Sequence, residues 1–162
     1  MRAHAWLSRG IPAGLMAGVA VAVFFLIGDV LRLSPLATPL SLGEILMAPG
    51  GFEVDLPVLA QLVAVVSYGA SLVAFTLLHL LVFAALGVGA VAWFDLKDKP
   101  LTAKSGALYG LVVCTVVFYA GLLLPMGAVA ESVPGLWSVL AANVVAGAVI
   151  GGCAEASKAE EA

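Results

Sequence analysis

The sequence predicts an all-α, polytopic membrane protein: four transmembrane helices in a bundle, with a short interfacial helix on the outer side. Three observations carry this. The 162 residues are 63% hydrophobic and only 10% charged, where a soluble domain carries about 25% charged residues. Mean hydropathy is +1.16. The long apolar runs lack the strict alternation of barrel strands, which excludes a β-barrel.

The first span is drawn at about residues 11–33, because 11–28 carry no charge and extending them by a turn crosses the bilayer. Arg2 and Arg9 precede it as in a signal peptide. The run is long for a signal core, however, and Asp29 and Arg32 follow it where a small-residue cleavage site would stand, so a retained span is expected. Residues 56–94 contain no formal charge and exceed one ordinary span. Pro57, Gln61, Ser67 and Gly69 place their start at the interface, giving an outer loop 34–66 and a second span 67–94. The third span is 105–125, closing near Pro125. The fourth is 134–154, with Pro134 suited to a first helical turn, and a short tail 155–162 follows. The whole chain, 1–162, reads as one membrane domain.

The outer loop is broken by Pro35, Pro39, Pro49, Gly50 and Gly51. Ser41 with Glu44 three residues on has capping-box spacing. That predicts a short helix over 42–48, pressing Leu42, Ile45 and Leu46 onto the headgroups or the bundle. Arg2, Arg9, Lys97, Lys99, Lys104 and Lys158 fall on one side and Arg32 alone on the other, with Glu44, Glu53, Asp55 and Glu131. Both termini are therefore expected in the cytoplasm. Trp6 and Trp93 would anchor the inner interface and Trp137 the outer one. The net charge of −3 forms no basic patch, so nucleic acid is not an expected partner. Cys114 and Cys153 fall at depths about 10 Å or more apart, too far for a disulfide, and read as free thiols.

Small residues mark the expected helix contacts: Gly14 with Gly18, Gly106 with Gly110, and Gly147 with Gly151, each pair four residues apart. Two internal matches share an order. "GLMAGVAVAVFF" resembles "GALYGLVVCTVVFY", aligning Gly14 with Gly106 and Gly18 with Gly110. "HLLVFAALGVGA" resembles "NVVAGAVIGGCA", aligning His79 with Asn143 and Gly87 with Gly151. The matches suggest two hairpins running the same way, as in parallel repeats.

An ionisable residue within a span is a candidate site. Asp29 lies on the helical stripe of Gly14 and Gly18, and so is expected to face protein, with Thr76, His79 or Arg32 as partner. Asp29, Thr76, His79, Tyr119 and Asn143 fall at similar depths and form a candidate intramembrane polar layer, either conducting protons or a solute or fixing helix register by hydrogen bonds. His79 is also a candidate axial ligand for haem, but His4 is too distant to be a second one. No metal-ligand spacing, nucleophile motif or phosphate loop is present, so no metal, cofactor or catalytic residue is expected.

The G-x-x-A-G at Gly14–Gly18, Asp29 and "PLATPLSLG" together resemble small bacterial membrane proteins with four helices, over roughly residues 10–46 and more loosely the second span. The resemblance implies membrane location and helix count, and no activity. The expectation is a non-catalytic subunit, accessory or structural, of a bacterial inner-membrane assembly. Its partners would be the lipid bilayer and other membrane subunits or further copies. A small conducting protein using Asp29 and His79, and a haem-bearing electron-transfer subunit, are the alternatives.

Overall fold

A computed structural model describes residues 2–40, 42, 57–126 and 135–160, with side chains placed for most of them. Their regular structure is entirely helical. α1 is Arg2–Leu31 and α2 is Pro57–Leu96. α3 runs without a break through Ala103–Tyr109, a π-helical segment Gly110–Cys114, and Thr115–Met126; α4 is Leu136–Glu160. Among the described residues, four stretches are long and apolar enough to cross a membrane: Ala3–Leu31, Val66–Leu96, Ala103–Gly121 and Leu136–Ala159.

The charge-free run 56–94, read as an interfacial turn or helix leading into the second span, is helical from Pro57 and continues unbroken as α2. Its 40 residues span about 60 Å, and residues 57–66, assigned above to the outer loop, are its first turns. Pro57 suits a helix start, and no glycine or proline interrupts the chain before Gly69. Of the helix expected at 42–48, only Leu42 is among the described residues; it is helical and buried. A helical turn already forms at residues 37–40. Pro134, Glu44, Glu53, Asp55 and Glu131 lie outside the described residues. Pro125 falls inside the last helical piece of α3, Thr115–Met126.

α1 packs along both α2 and α4, and α4 along α3. The shared core contains Ala13, Ala17 and Val21 from α1, Phe83 and Ala90 from α2, and Ala142, Ala146 and Ile150 from α4. Alanines dominate because they let two backbones approach. Large apolar side chains face outward instead, among them Met16, Ile27, Leu77, Leu81, Leu108 and Val116, each more than half exposed. Small inside and large outside suits lipid as solvent, where burying a leucine between helices brings no hydrophobic gain.

The ends are fastened by polar contacts. Trp6 Nε1–H donates to Asp95 Oδ2 at 2.8 Å, tying the start of α1 to the end of α2. At the start of α3, Thr102 and Ser105 form a capping box: the Ser105 backbone N–H donates to Thr102 Oγ1 at 3.3 Å, and the Thr102 N–H to Ser105 Oγ at 2.9 Å. Cys114 is buried and Cys153 half-buried, and both are free thiols.

Candidate functional site

Two glycine-lined contacts hold the helices in pairs. On α1, a Cβ added to Gly14 would strike the Phe83 carbonyl oxygen and come within 2.8 Å of Ala84 Cα on α2. A Cβ on Gly87 would strike the Gly10 carbonyl and lie 2.7 Å from Gly14 Cα. In the second pair, Gly106 meets the Gly147 carbonyl and Gly151, Gly110 meets Asn143 and Gly147, and Gly151 meets the Thr102 carbonyl. The two pairs share a register. Gly106 sits against Gly147 and Gly151 as Gly14 sits against Phe83 and Gly87, and Gly151 reaches Thr102 as Gly87 reaches Gly10. These are the alignments that the two sequence matches propose. Gly18 is looser: its nearest neighbours are the side chains of Leu80 and Phe83, both at 3.2 Å.

Asp29 is 3% exposed and faces protein, but its partner is Thr38 rather than Thr76, His79 or Arg32. Thr38 donates its backbone N–H to Oδ2 at 2.8 Å and its hydroxyl to Oδ1 at 2.7 Å. The reason is local. α1 ends at Leu31, and the chain turns back through Leu33 and Leu36, both in the left-handed region at φ 57° and 66°. The Ser34 N–H closes on the Asp29 carbonyl at 2.9 Å, so the carboxylate caps the returning turn.

His79 Nε2 lies 2.9 Å from the Gly18 carbonyl oxygen. A carbonyl only accepts, so this nitrogen carries the proton and donates from α2 to α1. The Phe83 and Phe75 rings lie 4.7 and 5.5 Å from the imidazole. Nε2, the usual nitrogen ligand to haem iron, is thus engaged by the α1 backbone. Thr76 is exposed and bonds back to the Leu72 carbonyl of its own helix at 2.7 Å. Asn143 is buried and donates through Nδ2 to Thr115 Oγ1 at 3.1 Å, joining α4 to α3. Tyr119 is half-buried, edge-on to Phe118 at 5.4 Å. Among the described residues, no hydrogen bond joins any two of the five. His79 and Asn143 each join a pair of helices, Asp29 closes the turn after α1, and Thr76 and Tyr119 make their contacts within their own helices.

Asn143 and Thr115 meet just beyond the π-helical segment of α3. A π turn inserts a residue into the helix and rotates the faces of the next turns. Here Gly110 opens the segment against α4, and Thr115 directly succeeds it. Immediately before the segment, the Tyr109 hydroxyl donates to the Leu86 carbonyl at 3.2 Å and joins α3 to α2.

Comparison with known protein families, curated proteins and solved structures found no match to this chain. Geometry alone therefore bears on function. Among the described residues there is no group of three or more His, Cys, Asp or Glu placed to hold a metal ion. None of their buried side-chain nitrogen or oxygen atoms lacks a hydrogen-bond partner. Gly10, Gly87, Thr38, Tyr109 and the Trp6–Asp95 pair are structural partners that sequence reasoning left out of the site. Gly10 and Gly87 had usable signals: Gly10, Gly14 and Gly18 recur at four-residue steps, and Gly87 aligns with Gly151 in the internal match.

Proposed function

We propose that the chain is a non-catalytic membrane protein, its four helices forming a bundle that serves as an accessory or structural subunit of a bacterial inner-membrane assembly. The observation that carries this reading is how the polar side chains inside the apolar helices are used. Asp29 gives both oxygens to Thr38, His79 gives its proton to the Gly18 carbonyl, and Asn143 is bound to Thr115. A conducting path would need such groups linked to one another or to water along the axis. Here they are spent on fixing helices. The outward faces of large apolar residues are open to lipid and to neighbouring subunits.

The lysine and arginine distribution supports an orientation with both termini in the cytoplasm. The deciding experiment is mild-detergent extraction of native membranes carrying a tagged chain. A reproducible, stoichiometric membrane partner, or a defined homo-oligomer, is expected. A monomer that instead dissipates a pH gradient in liposomes would replace this reading with the conducting one.

A further inference from the structure

One cavity stands apart from the helix contacts. It has a volume of about 320 Å³, at the lower end of small-ligand sites, and lies where the start of α1, the end of α2, the linker to α3 and the end of α4 converge. Three cations line it, from three separate elements: Arg9 on α1, Lys99 in the linker and Lys158 on α4. Among the described residues, none of the three lies in an ion pair within 4.0 Å. Two carboxylates also line it, Asp95 and Glu155. Asp95 already accepts the Trp6 indole N–H at 2.8 Å, and Glu155 is exposed on α4. The balance of charge is positive by one. Phe94 and Leu101 give the same cavity an apolar wall.

From this geometry we infer that the cavity binds the phosphodiester of an anionic phospholipid headgroup. The positive balance matches a headgroup with a net charge of −1. A zwitterionic headgroup carries the same phosphodiester, but its ammonium cancels that charge and would be repelled by the surplus cation. The cavity opens at the end of the apolar helices where Trp6 and Trp93 also lie, the level at which interfacial tryptophans meet headgroups. Basic pockets between helices at the cytoplasmic face are a recurring way of holding anionic lipid. The Phe94 and Leu101 wall offers the first acyl carbons an apolar surface, and a soluble phosphate ester has no use for one. The site requires that the chain lie in a membrane, and does not depend on its being a subunit of anything.

The test uses the full chain in a non-ionic detergent, with native mass spectrometry and thermal unfolding as readouts. The probes are phosphatidylglycerol, phosphatidylcholine with the same acyl chains, and inorganic phosphate. Phosphatidylglycerol should be retained as a tightly held copy and raise the unfolding temperature, with phosphatidylcholine and phosphate doing neither. Arg9→Gln with Lys158→Gln should weaken phosphatidylglycerol binding about tenfold or more. Lys97→Gln with Lys104→Gln removes the same charge near this end but outside the cavity lining, and should leave binding nearly unchanged. If the first pair fails to fold, Lys99→Gln in the exposed linker takes its place, with a smaller loss expected. Equal weakening by cavity and control variants, or equal binding of phosphatidylcholine, overturns the site. An equal shift from inorganic phosphate overturns the assignment to lipid.

Discussion

Thr38 reaches back to Asp29 with two hydrogen bonds, one from its backbone N–H and one from its hydroxyl, so both carboxylate oxygens are occupied. The pair closes the return after α1, where Leu33 and Leu36 hold positive φ. Hydrogen bonds to a charged acceptor contribute about 1.5–3 kcal/mol. Asp29→Ala should therefore cost roughly that much stability in detergent, and Asp29→Asn less, because the amide keeps one accepting oxygen. Thr38→Val should be strongly coupled to Asp29→Asn in a double-mutant cycle. Asp29→Asn and His79→Leu, with no shared partner, should add to within about 0.5 kcal/mol. A large Asp29–His79 coupling would show that the two meet.

The glycines separate into three classes. Gly14→Ala pushes a methyl into the α2 backbone, which cannot yield, and should cost about 1–3 kcal/mol as overpacking does. Gly18→Ala meets only side chains at 3.2 Å and should cost less. A Cβ on Gly28 has nothing within 4 Å, and Gly28→Ala should stabilise α1 by up to about 1 kcal/mol through helix propensity alone. Thermal unfolding of the three variants ranks them, and any other order would mean that α1 and α2 pack in a different register.

His79→Leu should be mild. The Gly18 carbonyl already has a helical partner four residues on, so the imidazole adds a second bond to an acceptor that is not otherwise orphaned. Interhelical bonds of this kind average about 0.6 kcal/mol. Chemical denaturation of the variant should show a loss of that order. A loss several times larger would assign His79 more than a bracket between α1 and α2.

Orientation is tested with reporter fusions after residue 52 and after residue 100, expected to read periplasm and cytoplasm respectively. The basis is the concentration of Lys and Arg on one side, with Arg32 the exception. A cytoplasmic signal from the first fusion would invert the molecule and move the proposed headgroup site to the other leaflet.

The helices were legible because hydropathy over some twenty residues is a strong signal that local detail does not erase. Glycines at four-residue steps mark which face of a helix can approach a neighbour, but not which neighbour; that α1 meets α2 and α3 meets α4 is a finding of the structure. The partner of Asp29 was not legible either. Thr38 lies beyond the helix, and the turn that brings it back depends on two leucines in backbone conformations that leucine disfavours. Helical counting from Asp29 shows which residues share its face and is silent on a chain that folds back over it. Similar depth does not bring side chains together, for a related reason: residues at one depth on four helices meet only if they also share an azimuth. Thr76 faces outward and Asn143 faces α3.

The matched register of the two glycine contacts bears on how the chain can be divided. Every backbone-to-backbone approach of the described glycines falls between α1 and α2 or between α4 and α3 with its cap residue Thr102. The two halves join mainly through the alanines of α1 and α4, with Tyr109 as a lesser tie. A cut in the linker at residues 97–99 would sever neither clasp. Two fragments made from separate messages should each insert as a closed pair and recombine across the alanine seam. In packing terms, the chain resembles two closed helix pairs joined by a tether.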